Sequence, residues 1–326
     1  MVSLRLRLSD SDELLHVSQR VTFGRIWLRS ECEFDSHRPL FKIFQKKLNY
    51  TLDIADTYYI IEEYHTHFER FFTMVKFSVA NAKLKALYDV PELQRWLKSR
   101  RKVYSFDLLS GWSCPQAKDC LSKVVQIGDK RKIQDGKDCQ FRCFSASQEA
   151  TFPSAYNKRK ANFDALKSMG GVYEMALAIS DAMPKNLGIC RIHVAGDFFN
   201  QKYFRAWQLV AEWYPDRLFY AYTKSLSWWL EDSENLPENF VLTASRGGRL
   251  DHLIDEQNLR ESKVVYSEAE ASELGYEIDH TDEHAAIPEM RNTSFALLIH
   301  GVQPKGSEAA NAIKQLKKEK VKFSYS

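Results

Sequence analysis

Apolar and polar positions recur with two different periods along this chain, and the change from one to the other falls near residue 100. Residues 1 to about 48 mix short alternating stretches (Leu4, Leu6, Leu8; Val21, Phe23, Ile26, Leu28) with charges, which predicts a small β-rich or irregular lead-in. From 52 to 88, Ile54, Tyr58, Ile61, Tyr64, Phe68, Phe71, Phe72, Val75 and Val79 recur at three- and four-residue steps, the spacing of a helix face. Pro91 opens a further short helix with Leu93, Trp96 and Leu97 on one side. Its basic end, Lys98, Arg100, Arg101 and Lys102, reads as a cap against the negative end of the helix dipole. His65 and His67 are two apart on a helical stretch and point in different directions, so they read as surface or interface residues.

From Val103 onward, apolar runs of strand length alternate with helical patterns. Strands are predicted at 103–109, 190–198, 218–223, 240–245, 264–267 and 295–300, with helices at 156–169, 172–183, 203–213, 228–230 and 308–320. Six strands separated mostly by helices predict an α/β fold, a partial (β/α)6 barrel-like parallel sheet. The domain division expected is a mainly helical N-terminal extension over 1–102 and the α/β domain over 103–326. The acidic, His-bearing stretch 276–289 is the longest irregular connection, of the kind that covers a site on such scaffolds.

The cysteines change the picture. Cys114, Cys120, Cys139 and Cys143, four of the six in the chain, fall within thirty residues. Two pairs, with five and three intervening residues, can bring four thiolates around one metal centre, although the spacing is not that of a zinc ribbon. Disulfides are the competing reading. Fewer than one residue in fifty is cysteine, and Met1 to Leu8 alternates apolar and basic residues rather than forming a secretory apolar run. Reduced thiols in a cytoplasm are expected. Cys32 stands alone and Cys190 opens a buried strand; both read as structural.

Strand alternation selects further candidates. In 191–197, Ile192 and Val194 would pack on helices, leaving His193, Ala195 and Asp197 on the inner face with Gly196 beside them. In 295–300 the same rule sends Phe295, Leu297 and Ile299 outward and His300 inward; in 241–246 it sends Thr243 and Ser245 inward. Polar groups from several strands would then meet at the rim where α/β ligand sites form. Gly196 would let a ligand approach the backbone, or would belong to a strand–helix turn capped by Asp197 or Asn200. Ser245-Arg246-Gly247-Gly248 offers amides and a guanidinium as an anion cradle without a Walker lysine. The turn 301–307 reads either as a phosphate-binding turn or as a helix entry capped by Ser307.

Composition bounds the rest. The chain has 326 residues, a net charge of +3 and a pI near 8.4, mildly basic and weak evidence for nucleic acid by itself. No apolar run approaches the ~18 residues of a spanning helix, so no membrane partner is expected. Between Cys114 and Cys143, seven lysines and arginines face four aspartates. That excess either offsets a thiolate–metal centre or grips a nucleic-acid backbone.

Ser113-Cys114-Pro115-Gln116-Ala117 with Cys120, Cys143-Phe144-Ser145-Ala146, Arg159 and Asn162 form an ordered set of motifs. It continues with the stretches 191–198, 220–225 and 300–307. The set resembles the phage gene-product-88 domain family over residues 103 to 320, which implies one site built by these segments. A more distant similarity is to radical S-adenosylmethionine enzymes. It implies cluster cysteines after the first strand, a glycine-rich turn after the second (Gly196-Asp197) and Thr223-Lys224-Ser225 ending the third. The pattern departs at position 146, where Ala146 stands in place of a third cysteine. Chelation of S-adenosylmethionine needs an iron without a protein ligand, so four bound cysteines would leave none open.

The expectation is therefore an iron–sulfur protein, with zinc as the alternative and S-adenosylmethionine as a further cofactor candidate. Cys114, Cys120, Cys139 and Cys143 would hold the metal. Asp197, Lys224 and His300 are the candidate catalytic groups, and Gly196, Thr223, Ser245 and Arg246 the candidate cofactor-binding ones. The ligand expected is a small molecule or a nucleotide-containing one. The competing expectation is a zinc-stabilised nucleic-acid-binding phage protein.

Overall fold

The computed structural model describes residues 75–321 and two short backbone segments, Leu4–Leu6 (β1) and Leu15–Val17 (β2). The chain divides into two compact units, Met1–Asp53 and Ile54–Ser326. In the first, β1 and β2 pair antiparallel with Leu4 opposite Val17. The helix expected from 52 lies outside the described residues as far as 74, as do His65, His67 and Cys32. Its described part is helical as expected over 82–88, but Phe77–Val79 (β3) is a strand that pairs antiparallel with Lys102–Phe106 (β4). The reason is aromatic packing, because Phe77 meets Phe106 edge-on at 5.0 Å and Trp207 at 6.3 Å. β3 thus forms the edge of the main sheet.

After β4 come a hairpin, Ser122–Ile127 (β5) and Lys130–Asp135 (β6), and then Leu187–Ile192 (β7), Leu218–Thr223 (β8) and Phe240–Ser245 (β9). Glu261–Val265 (β10), Glu277–Ile278 (β11) and Phe295–Leu298 (β12) complete the set. The main sheet has eight strands in the order β11-β12-β10-β9-β8-β7-β4-β3, all neighbours parallel except β3 with β4. Parallel strands buried on both faces read as near-continuous apolar runs, and β8 (Leu-Phe-Tyr-Ala-Tyr-Thr) is one.

One face, carrying Phe106, Cys190, Ile192, Phe219, Ala221, Phe240 and Leu242, packs on the helices Pro153–Ser168, Val172–Ala182 and Gln201–Trp213. The last is amphipathic through Tyr203, Phe204, Trp207, Val210 and Ala211, and Asn200 caps it by accepting the Tyr203 amide at 2.8 Å. The opposite face carries Val103, Ile189, Tyr220, Val241 and Phe295. It is covered by the short helical turns between Ala82 and Leu97 and by Ala285–Ile287.

Two alternation readings are corrected. Phe295 and Leu297 lie on this second face, while Ala296 and Leu298 meet the helix Glu308–Lys318, so the faces of β12 are the reverse of those expected. β7 stops at Ile192: His193 has φ +66°, which breaks the two-residue alternation. His193 therefore turns toward the helices, its Nε2 3.0 Å from the Tyr203 hydroxyl and its ring against Phe198. Among the described residues, no helix is long and apolar enough to cross a membrane.

Candidate functional site

The C-terminal ends of β4, β7, β8, β9 and β12 lead into the segments that carry the candidate residues. After β4 the chain reaches Asp107, whose buried carboxylate ties two loops together. Its Oδ1 accepts the Val194 and Ala195 amides (2.9 and 3.3 Å), and its Oδ2 accepts the Ser78 and Ser105 hydroxyls (3.0 and 2.9 Å). The loop beyond β7 is thereby held against the cysteine loop that follows β4. The approach is close. Gly196 has φ +94°, and a Cβ there would lie 2.6 Å from Ser113 Oγ and 2.8 Å from Leu108 Cβ. Gly196 thus packs closely against Ser113, the residue next to Cys114.

Asp197 is buried and its carboxylate is fully engaged. It accepts from Thr223 Oγ1 (2.7 Å), the Lys224 amide (2.8 Å) and the Phe198 amide (2.7 Å). Burial nevertheless pushes it up to about 6, the hydrogen bonds pulling the other way. Lys224 donates its three ammonium protons to Ser245 O (2.8 Å), Ser245 Oγ (2.8 Å) and Arg246 O (2.9 Å). Asp197, Thr223, Lys224 and Ser245 thus form one brace across the ends of β7, β8 and β9. Asn200, and not Asp197, caps the next helix.

Arg246 is committed to ion pairs. Its Nη2 lies 2.6 Å from Asp255 Oδ1, and its Nε bonds Glu261. These bonds, led by the one to Asp255, raise its pKa. The amides of Gly247 and Gly248 both donate to the Asp251 carboxylate at 2.8 Å, so the cradle expected for an anion holds the chain's own aspartate. Ser307 caps the last helix by accepting the Ala310 amide at 3.2 Å.

The cysteine loop is laid over this rim. The Lys118 and Asp119 amides donate to Gly247 O (3.3 and 2.9 Å), and Arg249 N donates to Gln116 O (2.9 Å). The Gln140 and Phe141 amides return to Asp119 O (2.7 and 3.1 Å), which folds the second cysteine pair back on the first. Ser122 links them too, accepting the Cys143 amide at 3.2 Å and lying 3.6 Å from Cys139 Sγ.

All five described cysteines are free. Burial raises the pKa of each rim thiol, and the thiols add to one another's shifts. Cys114 is raised further by Asp197, Cys143 and Cys120. Cys120 is lowered by Lys224 and raised by Cys139 and Asp197. Cys143, at the N-terminus of the helix Phe144–Thr151, is pushed up to about 11 by burial and Cys120, while the Ala146 and Ser145 amides oppose this. In Cys139, burial outweighs the hydrogen bond to Ser122. The four thiols, Asp197 and Lys224 therefore share one electrostatic neighbourhood at the rim. Among the described residues, no three His, Cys, Asp or Glu side chains form a ready-made ligand set.

His300 belongs to the same rim. Its ring centroid is 5.2 Å from that of Phe144, next to Cys143, and Nδ1 lies 3.0 Å from Leu298 O, so that nitrogen carries the proton. Burial lowers its pKa to about 4. Gln303 completes the wall, accepting the Arg142 amide at 2.7 Å and donating to Arg142 O at 3.1 Å.

A second polar cluster, on the opposite face of the sheet, escaped sequence reasoning. Asp282, fully buried with φ +67°, pairs with Lys83 Nζ at 2.6 Å and with Arg191, and accepts the Tyr220 and Tyr222 hydroxyls at 3.1 and 3.2 Å. Arg191 also lies over the Tyr222 ring at 4.8 Å. The only signal was the acidic connection 276–289, which covers this face through Asp279, Asp282 and His284.

Fold and rim together define an α/β protein with a mostly parallel sheet, whose strand ends carry a loop with four free thiols. The family described as gene product 88 matches residues 74–319, and the chain belongs to it. The match reaches back past 103 to include β3 and the helical turns beneath the sheet. No curated protein and no solved structure matches this chain.

Proposed function

We propose that this protein is an enzyme with a thiolate-held metal centre, iron–sulfur in kind, at the C-terminal rim of a partial (β/α)6 barrel. Six of the seven parallel strands, β4, β7, β8, β9, β10 and β12, neighbour one another in chain order, as in such a barrel, with the short β11 outside β12. What supports the reading is the folding of the loop: the Gln140 and Phe141 amides on Asp119 O, and Ser122 against both Cys139 and the Cys143 amide, turn the second cysteine pair back on the first. Cys114, Cys120, Cys139 and Cys143 come from two separated pairs, are all free, and shift one another's protonation.

Cysteine sulfur is the donor type a soft metal or cluster takes, and the four side chains would have to gather around it, since among the described residues no three stand as a ready-made set. The thiols are neutral until a cation displaces their protons, and the Lys224 charge and the amides at Cys143 offset thiolate charge once it forms. A bound cluster would supply electron transfer, and zinc would supply a structural staple. Asp197, protonating near neutral pH, would hold or release a proton beside Cys114. His300, held neutral by burial, would face the ligand as an uncharged polar group. Lys224, fully hydrogen-bonded, acts by charge and by fixing Ser245 and Arg246. The ligand class is a small molecule or nucleotide-containing compound lodged between Thr223, Ser245 and His300.

The radical S-adenosylmethionine reading is narrower and needs one of the four thiols to stand aside from the cluster. Purification without oxygen, followed by metal analysis and a visible spectrum, tests the proposal. Iron with a broad charge-transfer absorption, both lost in Cys120→Ser, supports it. Stoichiometric zinc in a colourless protein replaces the redox role with a structural one. Absence of stoichiometric metal under both aerobic and anaerobic handling overturns it.

A further inference from the structure

The basic stretch between the cysteine pairs is the hairpin β5–β6, which nothing in the proposed metal centre uses. Its register puts Val125 opposite Lys132 and Ile127 opposite Lys130. Ser122, Val124, Ile133 and Asp135 therefore line one face, and Lys123, Val125, Ile127, Lys130, Lys132 and Gln134 the other. The first face is anchored. Val124 is buried, Ile133 packs on the core, and Arg131 reaches Ala150 O and the Tyr156 ring. Asp135 is held by the Arg142 guanidinium.

The second face is open, with Ile127, Lys130, Lys132 and Gln134 exposed, and it carries three lysines and no carboxylate. Beside it stands Trp112, 47% exposed, with Lys123 Nζ 4.4 Å from its ring centroid and its indole N–H fixed on Val124 O at 2.9 Å. The tryptophan is exposed, anchored through its indole N–H, and has one cation, Lys123, against its ring.

We infer that this hairpin face and Trp112 bind the backbone and bases of a single-stranded nucleic acid. Lysines two residues apart on a strand stand about 7 Å from one another, the scale of neighbouring phosphates on an extended strand. They supply the salt-dependent attraction. An exposed indole next to them supplies a stacking surface, which an intact duplex would not offer its bases to. Charge complementarity selects an anionic polymer, and Trp112 selects the unpaired form. The inference does not depend on the metal reading. β5 begins two residues after Cys120 and Ser122 touches Cys139 and the Cys143 amide, so a bound strand would lie beside the cysteine rim.

The test uses the full chain and a short labelled oligonucleotide, as single strand and as duplex, titrated at several salt concentrations. The single strand is expected to bind more tightly. Lys123→Gln/Lys130→Gln/Lys132→Gln should weaken it roughly tenfold or more and flatten the log–log salt slope by about 2, from ~0.7 per neutralised phosphate. Trp112→Ala should cost about tenfold more, with Trp112→Phe retaining most of the affinity. A control of equal charge change, Lys314→Gln/Lys317→Gln/Lys318→Gln on the exposed side of the last helix, should leave binding close to wild type. The four lysine and tryptophan sites are at least partly exposed, and circular dichroism checks that each variant folds. Failure to bind the single strand, or equal losses in the two triple variants, would overturn the inference. So would preference for duplex with no effect at Trp112, or for anionic lipid vesicles over the oligonucleotide.

Discussion

The side-chain amide of Gln303 pairs with both backbone groups of Arg142, accepting its N–H at 2.7 Å and donating to its C=O at 3.1 Å. Gln303 lies in the turn after β12, so the last parallel strand grips the residue immediately before Cys143. A third bond from Nε2 to His300 O at 3.0 Å ties His300 into the same clamp. Gln303→Ala should lose about 1–3 kcal/mol of stability, because two partly buried backbone groups lose their partner. Hydrogen exchange should accelerate at residues 141–147 before it does in β8 or β9. Unchanged protection there would show that Cys143 is held by other contacts.

Asp282 should be the most sensitive carboxylate in the protein. It sits with two cations and two tyrosine hydroxyls in a fully buried position, and the Arg191 and Lys83 charges hold its pKa well below the usual carboxylate range against the opposing effect of burial. Asp282→Asn leaves the buried Lys83 and the half-buried Arg191 without that charge, a change that costs about 3–5 kcal/mol in comparable settings. In Lys83→Met/Asp282→Asn the losses should be less than additive by denaturant unfolding, since one interaction is removed twice. Additive losses would mean that Lys83 does not depend on Asp282.

Gly196→Ala combines a positive φ with a Cβ placed 2.6 Å from Ser113 Oγ and 2.8 Å from Leu108 Cβ. Backbone strain and overpacking of this kind each cost about 1–3 kcal/mol. The chain has to move on the cysteine-loop side, so Cys114 should be alkylated faster in the variant than in the wild type. Wild-type alkylation rates in a destabilised variant would place the adjustment elsewhere.

His193 gives the protein an acid sensitivity of definite sign. Burial, with a smaller contribution from Arg191, lowers its pKa to about 3, so the native state stays neutral where the unfolded chain takes up a proton. Below the ordinary imidazole value near 6.5 the unfolded state is favoured progressively, by up to ~1.4 kcal/mol per pH unit, until the native pKa is reached. His300 adds to this down to about 4. His193→Gln should flatten the fall in stability between pH 6.5 and 4 relative to wild type. An identical slope in the two proteins would remove His193 as a cause.

The strands most legible in the sequence are those whose neighbours are all apolar. β8 and β9 fall where their runs predict, to the residue, because burial on both faces keeps the runs mostly apolar, with threonine and serine only toward their C-terminal ends. β7 was extended too far since Val194 and Phe198 continue the apolar pattern after the backbone has turned at His193. The hairpin β5–β6 does not appear among the strands that the apolar pattern predicts, because half of it faces water. Gly128-Asp129 between Ile127 and Lys130 was the turn signal that could have found it.

At the rim, the cysteines, Asp197 and Lys224 were legible as polar groups at strand ends. What they bond to was not. Asp107, Gln303 and Asp282 act through partners 29 to 199 residues away in sequence (Ser78 for Asp107, Lys83 for Asp282), and no local pattern announces such pairs.

The central claim is that the two cysteine pairs act as one centre. Its most direct measurement is a titration of the reduced protein with Zn2+ or Cd2+, counting the thiols that remain reactive to alkylation at each addition and mapping them by mass spectrometry. One metal equivalent should protect Cys114, Cys120, Cys139 and Cys143 together, with proton release, and chelation should expose all four again. Protection of Cys114 and Cys120 at one equivalent and of Cys139 and Cys143 only at a second, or no protection at all, would contradict it.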